Sequence, residues 1–152
     1  MRRFFYLIGI LIIAGACKEV YDVPPQAMLQ VSFVNSATEN KMSSKVTAWG
    51  IGTEQLLVKD SVLQGMIFPL SPTDTTVYMI SLDSFTDTIT FIHETTLKYA
   101  SMETGFYYEY KLHAINYSNN RIDTIHIVDS LVTKKWHENI KLYLHPLSAG
   151  SN

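Results

Sequence analysis

Five histidines, at positions 93, 113, 126, 137 and 145, and one cysteine, Cys17, are the side chains of this sequence best suited to hold a metal or attack a substrate. The alternation of Tyr108, Tyr110, Leu112 and Ala114 with polar residues, and of Ile125 with Ile127, predicts a hairpin turning at Asn119-Asn120. Asn tolerates the positive φ that a type I′ turn demands. In that register Leu112 faces Ile127, Ala114 faces Ile125, and His113 faces His126. Two imidazoles opposed across strands are weak candidates for a metal site or a pH-sensitive repulsion. Zinc takes three or four ligands, and Glu109, four residues from His113, lies too far along the strand to be another. The expectation is therefore two solvated histidines and no metal. The chain has no Gly-x-Ser-x-Gly elbow, HExxH, Walker A sequence, dinucleotide-binding glycine pattern or EF-hand loop. No catalytic residue and no cofactor are expected, and the chain is read as a non-enzyme.

Covalent modification is a different chemistry. Asp followed by Ser or Thr and then an aliphatic residue or Thr recurs at Asp60-Ser61-Val62, Asp74-Thr75-Thr76, Asp87-Thr88-Ile89, Asp123-Thr124-Ile125 and Asp129-Ser130-Leu131. The pattern resembles the O-glycosylation motif of exported Bacteroidota proteins, with Ser61, Thr75, Thr88, Thr124 and Ser130 as candidate acceptors. Ordinary turns and solvent-facing strand positions use the same residues. Phe106-Tyr107-Tyr108-Glu109-Tyr110 concentrates aromatic side chains. Strand alternation predicts that Phe106, Tyr108 and Tyr110 pack inward and only Tyr107 faces out, where a sugar ring can stack. A carbohydrate- or metal-binding surface module is accordingly the alternative to a protein-interaction module.

The N-terminus carries its own chemistry. Met1-Arg2-Arg3 is a positive start, the run from Phe4 to Ile13 is apolar, and Ala14-Gly15-Ala16 supplies small side chains before Cys17. The apolar run is about 10 residues, half of what a transmembrane helix needs, so residues 1–16 read as a cleaved signal peptide. Small residues followed at once by Cys resemble the lipobox of bacterial lipoproteins, with Ala14 where Leu is more usual. The resemblance implies that the Cys17 thiol is diacylglycerated, that the chain is cut before it, and that the new amine takes a further, palmitate-type acyl chain. Several acyl chains make a lasting anchor, where one gives only reversible binding. Lys18-Glu19 lacks the Asp that resembles an inner-membrane retention signal and partly matches the surface-export signal of Bacteroidota. The expected address is the outer membrane, with its face undecided.

The remaining chain must position these groups. Residues 17–26 read as a lipidated tether, stiffened by Pro24-Pro25. Residues 27–146 read as one β-sandwich domain, and 147–152 as a disordered tail. The domain is dominated by period-two runs: Leu29-Val31-Phe33, Met66-Phe68-Leu70, Tyr78-Ile80-Leu82, Ile89-Phe91 and Ile140-Leu142-Leu144. Such runs predict about eight antiparallel strands with one buried face, immunoglobulin-like in outline, with a small barrel as the alternative. A two-residue turn at Asp83-Ser84 pairs Tyr78 with Ile89, Thr76 with Phe91 and Ile80 with Asp87. No stretch reads as a helix, and residues 131–139 hold one turn at most. A net charge of −2 with scattered Lys and Arg argues against a nucleic-acid partner. The expected partners are the membrane, through the lipid, and an envelope protein that adds to an unpaired edge strand.

The lipobox, the Pro-containing tether, the strand Leu29–Phe33, the pair Thr76–Ile80 and Asp87–Phe91, and the closing segments from Gly105 to Ile115 and Ile122 to Val128 together resemble a family of small uncharacterised lipoproteins of Bacteroidota, a domain-of-unknown-function group. The resemblance covers nearly the whole chain and implies a fold class and an address, but no activity. The resemblance implies that many relatives carry two further cysteines, one in the tether and one just before the glycine matching Gly105. This chain has neither, with Thr104 preceding Gly105.

Overall fold

The computed structural model of the chain describes residues 26–52, 56–102 and 104–147. These residues form a β-sandwich of ten strands with no helix. The strands are β1 (Met28–Asn35), β2 (Ser44–Gly50), β3 (Leu56–Leu63), β4 (Gly65–Pro69), β5 (Thr75–Leu82), β6 (Phe85–Ser101), β7 (Gly105–Tyr117), β8 (Ile122–Ile127), β9 (Leu131–Val132) and β10 (Ile140–Leu144). One sheet runs β4-β1-β10-β8 and the other β3-β2-β5-β6-β7-β9. Alternate residues of each strand face the gap between the sheets, which fixes the core: Leu29, Val31 and Phe33 from β1 and Leu142 from β10 meet Val46, Ile80, Ile89 and Phe91 from the other sheet. Phe68, Tyr78 and Phe91 form an aromatic cluster within it, with ring centroids 4.9 to 6.3 Å apart.

The β5–β6 hairpin has the register that alternation predicts, with Tyr78 opposite Ile89, Thr76 opposite Phe91 and Ile80 opposite Asp87. Asp83 and Ser84 at its turn have φ of 50° and 78°, the positive pair that a type I′ turn requires. Three expectations are corrected. The described residues hold ten strands, because β2 and β3 lie where no period-two run predicts a strand and the segment after Asp129 forms a two-residue strand instead of a helical turn. One pairing is parallel, β1 with β10, which brings the two ends of the domain side by side.

The third correction concerns the Asn119-Asn120 hairpin, which does not form. β7 pairs along its length with β6, and β8 pairs with β10 in the other sheet. The physical reason is Asp87, 1% exposed on the inner side of β6. Its carboxylate accepts the Ser118 hydroxyl (2.7 Å) and the amides of Asn120 (2.8 Å), Arg121 (2.8 Å) and Ile122 (3.1 Å). Donors that would point into a hairpin turn are drawn to the end of the core. Arg121 follows them inward, also 1% exposed, and pairs with Asp83 at 2.9 Å. The chain therefore leaves β7 in one sheet and enters β8 in the other.

Gly65 makes the opposite corner, where the chain passes from β3 to β4. A Cβ there would stand 2.2 Å from the Val31 carbonyl oxygen, so only glycine lets β4 approach β1. Gly65→Ala is expected to lower stability by about 1–3 kcal/mol through overpacking. Asp87→Ala, which strands buried amides, is expected to cost about 3–5 kcal/mol. Urea denaturation of both variants, each showing a lower midpoint at unchanged slope, checks these figures.

Candidate functional site

β6 outruns its neighbour β5. The two pair only as far as Thr75 opposite Ile92, and residues 94–101 of β6 have β7 as their strand partner. The inner face of the sheet continues past the edge of the sandwich as Leu97 opposite Tyr108 and Tyr99 opposite Phe106. Among the described residues no strand of the facing sheet covers these four side chains, and all are exposed, Phe106 at 63%. Tyr99 and Phe106 stack edge to face at 5.4 Å. The alternation around Phe106 is as the sequence predicts, but its consequence is not: Phe106 and Tyr108 are exposed, Tyr110 is buried, and Tyr107 is half-buried. Tyr107 donates to Glu109 at 3.1 Å and lies under the Lys134 ammonium, 5.1 Å from its ring centre.

Between this overhang and the start of β1 lies a cleft of about 280 Å³, lined by Gln26, Ala27 and Met28, by Pro69, Leu70 and Pro72, and by the aromatic residues Phe106, Tyr107, Tyr108 and Tyr110. A polar layer beneath it holds the loop before β5 in place. Tyr110 donates to the Leu70 carbonyl at 2.8 Å, and Tyr78 donates to that of Pro69. Burial and the neighbouring Tyr110 push the Tyr78 hydroxyl up to about 12, so it remains a donor at any physiological pH. The Thr76 hydroxyl accepts the Ser71 amide at 2.9 Å and shares a second hydrogen bond with His93 Nε2, also at 2.9 Å. His93 is 1% exposed and sits edge-on to Tyr110 at 5.2 Å. Enclosure of this kind favours the neutral imidazole. Burial holds its pKa below the ordinary value, against Asp74 and with help from His113.

The other sequence-singled residues are dispersed. His113 projects from β7 toward Glu94, 3.6 Å away, whereas His126 is on β8 opposite Lys141, so the two histidines belong to different sheets and form no pair. Among the described residues no three His, Cys, Asp or Glu side chains converge as a metal site would need. Of the candidate acceptors, Thr75 and Thr124 are exposed and Ser61, Thr88 and Ser130 half-buried; the Asp before Thr88 is the buried Asp87. Cys17 and the tether up to Pro25 lie outside the described residues.

Sequence reasoning did not find the burial of Asp87, His93 and Arg121 or the pairing of Arg121 with Asp83. One signal was available: Asp87 heads an inward-facing set with Ile89, Phe91 and His93, and a carboxylate there needs partners.

The family model for a family of unknown function, DUF6452, matches residues 45–144, which run from β2 to the end of β10. The chain belongs to this family. No curated protein and no solved structure matches it. The matched span takes in both corners, the overhang and His93, and begins after β1.

The neutral, enclosed His93 makes stability pH-dependent. Its pKa is lower in the folded than in the unfolded chain, so the unfolded chain takes up the proton first. Stability is whole above the unfolded value of about 6.5 and falls as the pH drops below it. The Asp83 carboxyl belongs to a separate window. Partial burial acts to raise it, but hydrogen bonds from the Lys45 amide, Arg121 and Ser44 hold it below its ordinary 3.8, and its contribution fades only further into acid. Urea midpoints taken between about pH 7.5 and 5.5 should fall for the natural chain and stay nearly level for His93→Gln.

Proposed function

We propose that the chain is a lipid-anchored lipoprotein of the cell envelope of a Bacteroidota bacterium, held at the outer membrane through Cys17, with a non-catalytic sandwich that recruits a protein partner by strand addition at β8. Support for the anchor is the order of positive start, short apolar run, small residues and sole cysteine in residues 1–17. Lys18-Glu19 and the recurring Asp-Ser/Thr pairs support the lineage and the outer-membrane address.

The open β8 edge carries the partner half of the reading. A sheet edge presents unpaired amides and carbonyls and invites another strand unless something blocks it. The other three strands that end a sheet are protected, and the flanks of the β6–β7 overhang, also unpaired among the described residues, lie outside the sandwich. β3 is bulged against β2, with Asp60 at a φ of 45° and ion-paired to Lys45; β4 is short and ends in Pro69; β9 has two residues. β8 is regular from Thr124 to Ile127, its irregularity confined to Asp123 at the start. A groove of about 390 Å³ runs beside it, lined by Ser36, Glu39, Tyr143 and the segment from Asp123 to His126. An extended partner segment pairs with the β8 backbone there and places alternate side chains in the groove.

Two measurements test this reading. Metabolic labelling with an alkyne palmitate analogue should mark the natural chain and leave Cys17→Ser unmarked and released from the membrane; equal labelling of both would overturn the anchor. A photo-crosslinking amino acid at Thr124 or His126 in living cells should trap one recurring protein. The same residue at Val62, exposed on the guarded β3, should not, and an identical pattern from both positions would sink the β8 interface.

A further inference from the structure

The aromatic overhang and the point where the chain enters the domain share one end of the sandwich. Gln26, Ala27 and Met28 form one wall of the cleft whose other wall is Phe106, Tyr107 and Tyr108. β10 runs parallel to β1, so the connection leading into it belongs to the same end, as the reciprocal bonds between Gln30 and Asn139 show (3.1 and 3.0 Å). That connection carries Trp136, 76% exposed, next to Lys134 and Lys135. The turn of the overhang carries Met102, 95% exposed, and the strand leading to it carries Leu97, Lys98 and Tyr99. One end of the molecule thus gathers exposed Trp, Tyr, Phe, Leu and Met with lysines beside them.

We infer that this end is a membrane-contacting foot, which settles its aromatic side chains into the boundary between headgroups and acyl chains. Three observations select a bilayer over other occupants. Trp and Tyr, apolar bodies with a polar tip, are the residues that populate this boundary, and lysines can reach its phosphates. The apolar groups sit on a protruding hairpin turn and a neighbouring loop, a shape suited to shallow insertion. Cys17 lies nine residues before Gln26, a span of at most about 30 Å, so an acyl anchor there holds this end against the bilayer. That last argument rests on the lipoprotein reading; the first two do not. The foot leaves the β8 edge free, because the groove beside β8 is built with Ser36 and Glu39, beyond the far end of β1.

The sole cysteine permits a test that needs no cellular processing. Residues 17–152 contain every core residue of the sandwich and can be coupled through Cys17 to a maleimide-headgroup lipid in vesicles of phosphatidylethanolamine and phosphatidylglycerol. Hydroxyl-radical footprinting then reads side-chain exposure. Met102, Tyr99, Phe106 and Trp136 should react several-fold more slowly on vesicles than in the free protein, while Val62 and Tyr117 react equally in both. Tyr99→Asp with Phe106→Asp should abolish the protection, including that of Met102 and Trp136. Unchanged reactivity on vesicles would overturn the foot. Protection already present in the free protein would also overturn it: concentration-dependent protection would mean a second copy covers the face, and concentration-independent protection the chain's own tether. A natural chain that takes no lipid in cells would refute the anchor and leave the vesicle result standing.

Discussion

The arrangement depends on the buried carboxylate of Asp87. A strand leaving β7 faces two choices, to fold back as a hairpin or to cross to the opposite sheet, and the hydrogen-bonding groups of residues 118–122 decide between them. Four donors converge on one carboxylate at the edge of the core. Burying such a group is costly unless its oxygens are satisfied, and satisfying them dictates where the backbone goes. Arg121 extends the constraint by pairing with Asp83 at the β5–β6 turn, so the turn of one hairpin and the crossover between sheets are joined. With that corner fixed, β8 falls beside β10, and β7 is left to pair with β6.

The length of the overhang follows. β7 has no other full-length partner, so β6 and β7 extend each other beyond the reach of β5, and the inner face outlasts the sheet opposite it. The aromatic residues there are patterned as core and placed as surface. Soluble domains rarely expose contiguous apolar surface without a use for it. The polar layer of His93, Thr76, Tyr78 and Tyr110 seals the core at the point where cover ends, and this explains a histidine at a position otherwise suited to an aliphatic residue.

Local pattern made part of this legible in the sequence. Alternation marked seven of the strands and their inner face but not β2, β3 or β9, and Asp83-Ser84 marked the β5–β6 register, because a two-residue turn leaves little freedom in pairing. Asn119-Asn120 offers a similar turn signal and fails, since a single-sequence reading weighs a turn by its own residues and cannot see a carboxylate thirty residues upstream claiming the amides. Burial of Arg121 and His93 was hidden for the same reason, as their partners are distant in the chain. Alternation also says which way Phe106 points without saying whether anything lies there. The site is therefore less legible than the fold: its residues were visible, but their exposure depends on how far the facing sheet extends.

The parallel contact between β1 and β10 has a consequence for the order of assembly. β1 sits between β4 and β10, and so the first strand waits for the last. A chain delivered from its N-terminus can join β1 to β4 early, but the gap beside β1 stays open until residues 140–144 arrive. Leu142 and Leu144 then close the core in one late step, the kind of distant pairing that slows folding. Until its final strand is delivered, the four-stranded sheet lacks one of its two central members.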